Sequence, residues 1–428
     1  MNRFLHGHAT HPDWRLALAL AAAQVEAQRA EPGAAATPTL GWVYLTAAYA
    51  PHAAALLAEL RQRWPGVEWV GASAVGIAAG GVEYFDEPAL ALLLTDLAAS
   101  RFRVFSGTRP LGTRGDAFAA HTAQVHADPT TDDLAELVGD MSARTATGYL
   151  FGGLASAPTR SLHLAGGVLA GGLSGVAFDA SVALVSRVTQ GCQPVGPLRR
   201  VSAAERNVIT RLDDQPALDC LLRDLKLQGV DPRAALPTLR QVLVGLSDAP
   251  DELPPAAPED ASTRSAFDHV ARRGAFGADT RVRHLIGLDP GRRGIAIADT
   301  ARVGMQLAFC TRNVEAARRD LMRICAEVRE EVEPETLPLP TALALKAAAG
   351  VGGDHASNPP AGGIAGAIYV SCAGRGGAHF GAPSAELAIV RHALGDVPLV
   401  GFFAAGEIAH HHLYGYTGVL TVFRRDTA

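Results

Sequence analysis

The chain has 428 residues, of which 48% are hydrophobic and 19% charged, a balance too apolar for a disordered protein. At roughly 100–200 residues per domain, that length accommodates two or three separately cored domains. Its 38 basic residues against 43 acidic ones, a formal net charge of −5, exclude a strongly basic binder of nucleic acid or membrane surfaces, and an aromatic content of 6% argues against base-stacking platforms.

The first element in chain order is an amphipathic helix starting near Pro12 and Asp13, with Asp13 as its cap; its apolar stretch from Leu16 to Val25 lacks a small-residue cleavage site after it. A strand over Gly41–Thr46, a helix over Pro51–Trp64 and a strand over Val67–Gly71 follow. Ala89–Leu94 is a buried strand and Arg101–Ser106 an alternating one, then come a helix over Asp132–Ala143 and a strand over Ala146–Phe151. The second half repeats the alternation. Strands are expected at His284–Leu288 and Gly294–Ala298, a helix at Asn313–Glu330, a strand at Gly366–Ser371, a helix at Pro383–Leu394, and strands at Val397–Gly401 and Gly418–Phe423. The fold class is therefore α/β: mixed sheets flanked by helices, layered α-β-β-α. A boundary is expected at 228/229, with flexible loops near 247–263 and 350–363.

Gly66–Leu93 can be laid without gaps over Asp396–Phe423, an offset of 330. Val67, Val70, Gly71, Gly76, Tyr84 and Leu90 then meet Val397, Val400, Gly401, Gly406, Tyr414 and Leu420. Each block is also preceded by a strand, a helix and a turn. This points to internal duplication, with two related α/β domains that each put a glycine-punctuated turn at the end of a buried strand, where backbone amides can approach a ligand.

No apolar run approaches the roughly 20 residues that span a bilayer. The five cysteines, Cys192, Cys220, Cys310, Cys325 and Cys372, form no C-x-x-C pair, so a reducing, cytoplasmic compartment is expected. Catalytic signatures fail: Gly71-Ala-Ser-Ala-Val-Gly lacks the second glycine of a nucleophile elbow, Gly350–Asp354 lacks the Lys and Ser/Thr of a phosphate loop, and neither a dinucleotide fingerprint nor HExxH is present. An enzyme is not expected.

The polar candidates sit at strand ends. In Ser371-Cys-Ala-Gly-Arg-Gly-Gly, Arg375 is either a fork for a ligand carboxylate or half of a structural ion pair, and Cys372 either a thiolate favoured by Arg375 or a buried, inert thiol. Glu407 is either an amine binder or a turn acid, with Gly401, Phe402, Phe403 and Tyr414 around it as pocket wall or core. His410 and His412 share a strand face and could meet one metal, or the run simply lies in an exposed loop; His6, His8 and His11 have a similar look, and no metal site is expected at either.

Val70-Gly-Ala-Ser-Ala-Val-Gly-Ile, Phe151-Gly-Gly-Leu-Ala-Ser, Gln190-Gly-Cys-Gln-Pro-Val-Gly-Pro, Ser371-Cys-Ala-Gly-Arg-Gly and Pro398-Leu-Val-Gly-Phe-Phe-Ala-Ala-Gly-Glu-Ile together resemble the FIST family, which pairs an N-terminal with a C-terminal FIST domain. The expected assignment is 1–228 to the first and 229–428 to the second. The resemblance implies an intracellular sensory module that binds small ligands such as amino acids and acts in signal transduction. Bacterial members stand beside, or are fused to, histidine kinases, chemoreceptors or cyclic-dinucleotide enzymes, and eukaryotic members carry an F-box. This sequence reads as two FIST halves with no output segment, so a partner protein is expected to carry the signal. The expected ligand site comprises Cys372, Arg375, Gly401, Phe402, Phe403, Glu407 and Tyr414, with Arg375 on a carboxylate and Glu407 on an amine, and no cofactor. Two alternatives stay open: a haem-based nitric oxide sensor ligated by His410 or His412, and a cysteine-dependent enzyme using Cys372.

Overall fold

The structure is a computed structural model and describes residues 1–112, 118–230, 232–248, 280–332 and 363–425. Of the two expected loops, 249–263 and 350–362 lie outside the described residues. The chain forms two compact units, the first made of residues 1–188, 321–413 and 418–428, the second of 189–320 and 414–417.

Strand β1 (Leu5–Thr10) and helix α1 (Trp14–Gln28) open the chain, and the Asp13 carboxylate caps α1 by accepting from the Arg15 amide at 2.8 Å. Then come β2 (Leu40–Thr46), α2 (Ala53–Arg63), β3 (Glu68–Ala74), a hairpin of β4 (Gly76–Ala79) and β5 (Val82–Phe85), and β6 (Ala89–Thr95). The order recurs, without a counterpart of α1 among the described residues, in β7 (Phe102–Phe105), β8 (Thr122–Ala127), α3 (Leu134–Ala143), β9 (Leu150–Leu154), the hairpin β10 (His163–Ala165) and β11 (Val168–Leu169), and β12 (Leu173–Phe178). Strand β13 (Leu184–Gln190) then opens a third copy.

The second unit interrupts that copy. Its elements are β14 (Cys192–Pro194), β15 (Arg199–Glu205), β16 (Val208–Leu212), β17 (Gln215–Pro216), α4 (Ala217–Asp224), α5 (Pro232–Leu239), β18 (Leu243–Ser247), β19 (Arg281–Asp289), β20 (Gly294–Ile297) and β21 (Gln306–Arg312). The sheet runs β21-β15-β16-β20-β19-β18, and β18 pairs again with β21, so it closes into an antiparallel barrel. Val201, Ile209, Val244, Ile295, Leu307 and Phe309 fill it together with Cys220 and Leu221 of α4.

The third copy resumes with α6 (Val314–Val332), β22 (Ile364–Cys372), α7 (Ala385–Leu394), β23 (Leu399–Ala404), the hairpin β24 (Glu407–His410) and β25 (His412–Tyr414), and β26 (Thr417–Arg424). The three copies share one pairing scheme. The first long strand runs parallel to the second (β2 with β3, β8 with β9, β22 with β23) and antiparallel to the last (β6, β12, β26). Each hairpin leaves its own copy: β4–β5 extends β23, β10–β11 extends β3, and β24–β25 extends β9. Three six-stranded sheets are thus locked in a closed cycle.

Gly71, Gly152 and Gly401 pair with Val43, Val125 and Tyr369, and a Cβ at any of them would stand 1.8, 2.0 or 1.7 Å from the carbonyl oxygen of that partner. Only glycine permits this approach of the second strand to the first. The duplication expected from the 330-residue offset is therefore present in pairing, and the β7–β12 segment is a third copy. The compact units follow no single cut along the chain, because the barrel is inserted between β13 and α6.

Helices cover the outer sheet faces. Val43, Leu45, Leu90 and Leu92 pack under Leu18 and Val25 of α1 and Leu56 and Leu60 of α2; Val125 and Leu150 pack under Val138 of α3. The inner faces carry a cluster of large aromatic side chains. Tyr44 stacks on Phe402 at 5.0 Å, and Trp42, Gln124, Tyr44 and His126 form a buried chain of hydrogen bonds. From one sheet's helices to the next, the order is helix, sheet, sheet, helix.

Candidate functional site

Strand β22 is buried along all nine residues and ends at Cys372, whose carbonyl accepts from the Arg375 and Gly376 amides at 2.8 and 3.1 Å. This tight turn sends the Arg375 side chain back over the sheet. Its Nε donates to Glu386 Oε1 at 2.7 Å, with 1% and 0% of the two side chains exposed, and its guanidinium faces the Phe380 ring at 5.2 Å. Glu386, in the first turn of α7, also accepts from the Tyr369 hydroxyl at 2.6 Å and from Ser371 Oγ at 3.1 Å. Burial, the charge of Glu386 and the bond to it push the Tyr369 phenol well above its ordinary range. Glu83, brought in by the β4–β5 hairpin, accepts from the amides of Leu387 and Gly377, each at 3.1 Å, and so caps α7 from another repeat. Burial raises the Glu83 carboxyl, against the lowering effect of those amides, and the Glu386 charge raises it further.

The structure places the seven expected ligand residues as follows. Arg375 is the ion-pair partner of Glu386, the structural alternative for it. Cys372 is buried at the strand end. Gly401 fills the close approach to Tyr369, and Phe402 and Phe403 point to opposite faces of β23: Phe402 onto Tyr44, Phe403 onto Phe85 at 4.3 Å. Glu407 is buried on β24, paired in register with Gly153 of β9, and Tyr414 is buried at the end of β25. Cys372, Arg375 and Phe403 come together at the turn after β22, where the Cys372 carbonyl accepts from the Arg375 amide and Gly376 lies against the Phe403 ring, and none of the seven lines the cavity described next.

That cavity lies in the first unit, between β1, the Gly80-Gly81 turn of the β4–β5 hairpin and the later turns of α7, with a volume of about 350 Å³. Gly80 has φ +55 and Gly81 φ +91, the left-handed conformation that a two-residue hairpin turn requires. His6 and His8 share one face of β1, and their Nε2 atoms lie 3.7 and 3.3 Å from the point where a Cβ on Gly80 would stand. The Tyr84 hydroxyl bonds His8 Nδ1 at 2.5 Å. Burial lowers both imidazoles; His6 falls to about 4, helped by the neighbouring His8 and Arg3. Arg391, Arg3 and Asp396 complete the polar wall, and Leu387, Val390 and Leu394 the apolar one. The His-x-His spacing was visible in the sequence, but its opposite wall is more than 70 residues away along the chain.

The two residues expected as alternative haem ligands lie away from this cavity. His410 has φ 53 at the β24–β25 turn, the place Gly80 takes in β4–β5, and its ring packs edge-on against Tyr149 at 4.6 Å. His412 has its ring beside His411 at 3.8 Å, and neither residue lines the cavity. Among the described residues, no group of three or more His, Cys, Asp or Glu side chains could hold a metal ion, and no helix is long and apolar enough to cross a membrane.

The first unit is an interlocked, mixed α/β fold with a small cavity of mixed polarity. The chain belongs to the FIST family: the FIST N domain matches residues 39–215 and the FIST C domain residues 217–410. FIST domains are associated with sensory signal transduction. The chain is 31% identical over 432 residues to the uncharacterized protein MT0656 of Mycobacterium tuberculosis (strain CDC 1551 / Oshkosh), covering 97% of this chain and 98% of the relative. It is 29% identical over 434 residues to the uncharacterized protein Mb0898c of Mycobacterium bovis (strain ATCC BAA-935 / AF2122/97), covering 98% of each.

Proposed function

We propose that this chain is a sensory protein that binds a small ligand and passes the signal to a partner protein. Amino acids and related small carboxylates are the first ligand class to test. Membership of the FIST family supports the sensory reading. The observation that carries ligand binding is the cavity of about 350 Å³, at the lower end of the range for small-molecule sites.

In this reading α7 is the reporting element. Its later turns line the cavity, and its first turn is held by Glu83 and by the Glu386–Arg375 pair. Arg375 acts as a positioning residue rather than as the carboxylate clamp. The partner would be a histidine kinase, a chemoreceptor or a cyclic-dinucleotide enzyme, the company that bacterial members of the family keep.

A thermal-shift screen of the full chain against free amino acids and small carboxylates, followed by isothermal titration of any hit, tests the proposal. The expected result is a saturable 1:1 ligand that raises the melting temperature. Absence of any shift and any heat across a broad metabolite panel would overturn it.

A further inference from the structure

We infer that the cavity between β1 and α7 is a carboxylate site, in which His6, His8 and Arg391 hold the acid group of a small organic acid whose short apolar body lies against α7; this rests on the ligand-binding reading of the same cavity. Three observations converge on it. First, both imidazoles present Nε2 toward the space above Gly80. His8 Nδ1 and the Tyr84 hydroxyl share a hydrogen bond, and in the tautomer in which the hydroxyl donates, the ring proton of His8 stands on Nε2 and becomes a donor into the cavity. His6 Nδ1 is buried and has no hydrogen-bond partner among the described residues, and it is Nε2 of that ring that faces the space above Gly80.

Second, the wall carries two guanidinium groups, Arg3, paired with Glu31 at 2.9 Å, and Arg391, paired with Asp396. With both imidazoles neutral these charges balance, so what the wall offers a ligand is hydrogen-bond donors rather than net charge. Arg391 meets Asp396 through Nε alone, at 2.7 Å, and its two terminal nitrogens make no hydrogen bond among the described residues, leaving them available to an incoming carboxylate.

Third, the helix that carries Arg391 also supplies the apolar lining. Leu387, Val390 and Leu394 lie within two turns of Arg391 on α7, so an acid with a short aliphatic body could meet the guanidinium and the apolar lining at once. The absent side chain at Gly80 keeps the polar end open, because a Cβ there would lie against both imidazoles.

The test is isothermal titration of the full-length protein at neutral pH with isovalerate, L-leucine and succinate, repeated on Gly80→Ala, His6→Ala and Arg391→Leu, each first checked for an unchanged ligand-free melting profile. Arg391 is exposed, so its variant remains informative if an imidazole variant folds poorly. The expected result is a 1:1 site for at least one probe, weakened tenfold or more in Arg391→Leu and in at least one of the other two. Affinities unchanged in all the variants that fold would overturn the assignment. So would silence of all three acids beside saturable binding of a neutral or cationic metabolite, an outcome that leaves the sensory reading standing.

Discussion

Arg375 and Glu386 form an ion pair from which solvent is almost wholly excluded, and the carboxylate of that pair belongs to the first turn of the helix that lines the cavity. Removing one partner leaves the other charge buried and uncompensated, which costs far more than the pair contributes when intact. Arg375→Ala should therefore destabilise the first unit by about 3–5 kcal/mol in urea unfolding. A loss below about 1 kcal/mol, the scale of an exposed pair, would contradict that role.

The glycines that set the second strand against the first make a separate prediction. Gly71→Ala, Gly152→Ala and Gly401→Ala should each cost more than ~3 kcal/mol or leave the protein insoluble, since the added carbon meets backbone rather than a movable side chain. Gly66, at φ +87 with nothing within 4 Å, is the control, and its Ala variant should lose only about 1–2 kcal/mol. Equal, small losses at all four positions would refute the equivalence of the three repeats.

Acid stability follows from the imidazoles. Burial lowers His6 to about 4 and His126 to about 3, and lowers His8 and His163 as well. These folded values lie below the unfolded value of 6.5, so the unfolded chain binds more protons in the window between. The stabilisation is complete above pH ~6.5 and drains away as pH falls through the folded values. Glu83 acts in the opposite direction, because its raised carboxyl favours the folded state at low pH and that stability is lost as pH rises. One carboxyl against four imidazoles leaves a net fall, so the urea midpoint should decrease from pH 7.5 through 6 to 5. His6→Gln should flatten that slope, and a midpoint constant over this interval would contradict the burial of these rings.

The thiols should be inert in the folded state. All five cysteines are buried; burial pushes Cys325 up to about 12, and the neighbouring Cys192 together with burial pushes Cys310 higher still. A disulfide-exchange reagent should titrate five thiols at once on unfolding and almost none before. A native thiol reacting as fast as free cysteine, above all Cys372, would revive the cysteine-enzyme alternative.

Strongly apolar elements could be read directly. β6 and β22 are buried on both faces and appear as unbroken apolar runs, and Asp13 marks the start of α1. The third repeat stayed hidden because β8 breaks its run with Gln124 and His126, which are buried but satisfied across the repeat boundary by Trp42 and Tyr44. Repeat two also keeps little of the shared pattern beyond Gly152, so residue matching at one offset found only the other two copies. Arg375 was legible as a charged group at a strand end, but its partner depends on how the turn after Cys372 folds back onto α7. His6 and His8 were visible as a spacing, whereas the cavity they line exists only because the β4–β5 hairpin is lent to another sheet. The barrel was obscured for a topological reason: its closure joins β18 to β21, and no local pattern marks that pairing.

The most direct measurement is a native mass spectrum of the full chain purified from its own host, taken before and after denaturation and repeated on Arg391→Leu. The expected result is a 1:1 small-molecule adduct on the native protein that is released on unfolding and is depleted in the variant. A bare protein mass in every native spectrum, with no adduct after addition of free amino acids and small carboxylates, would contradict the ligand-sensing function.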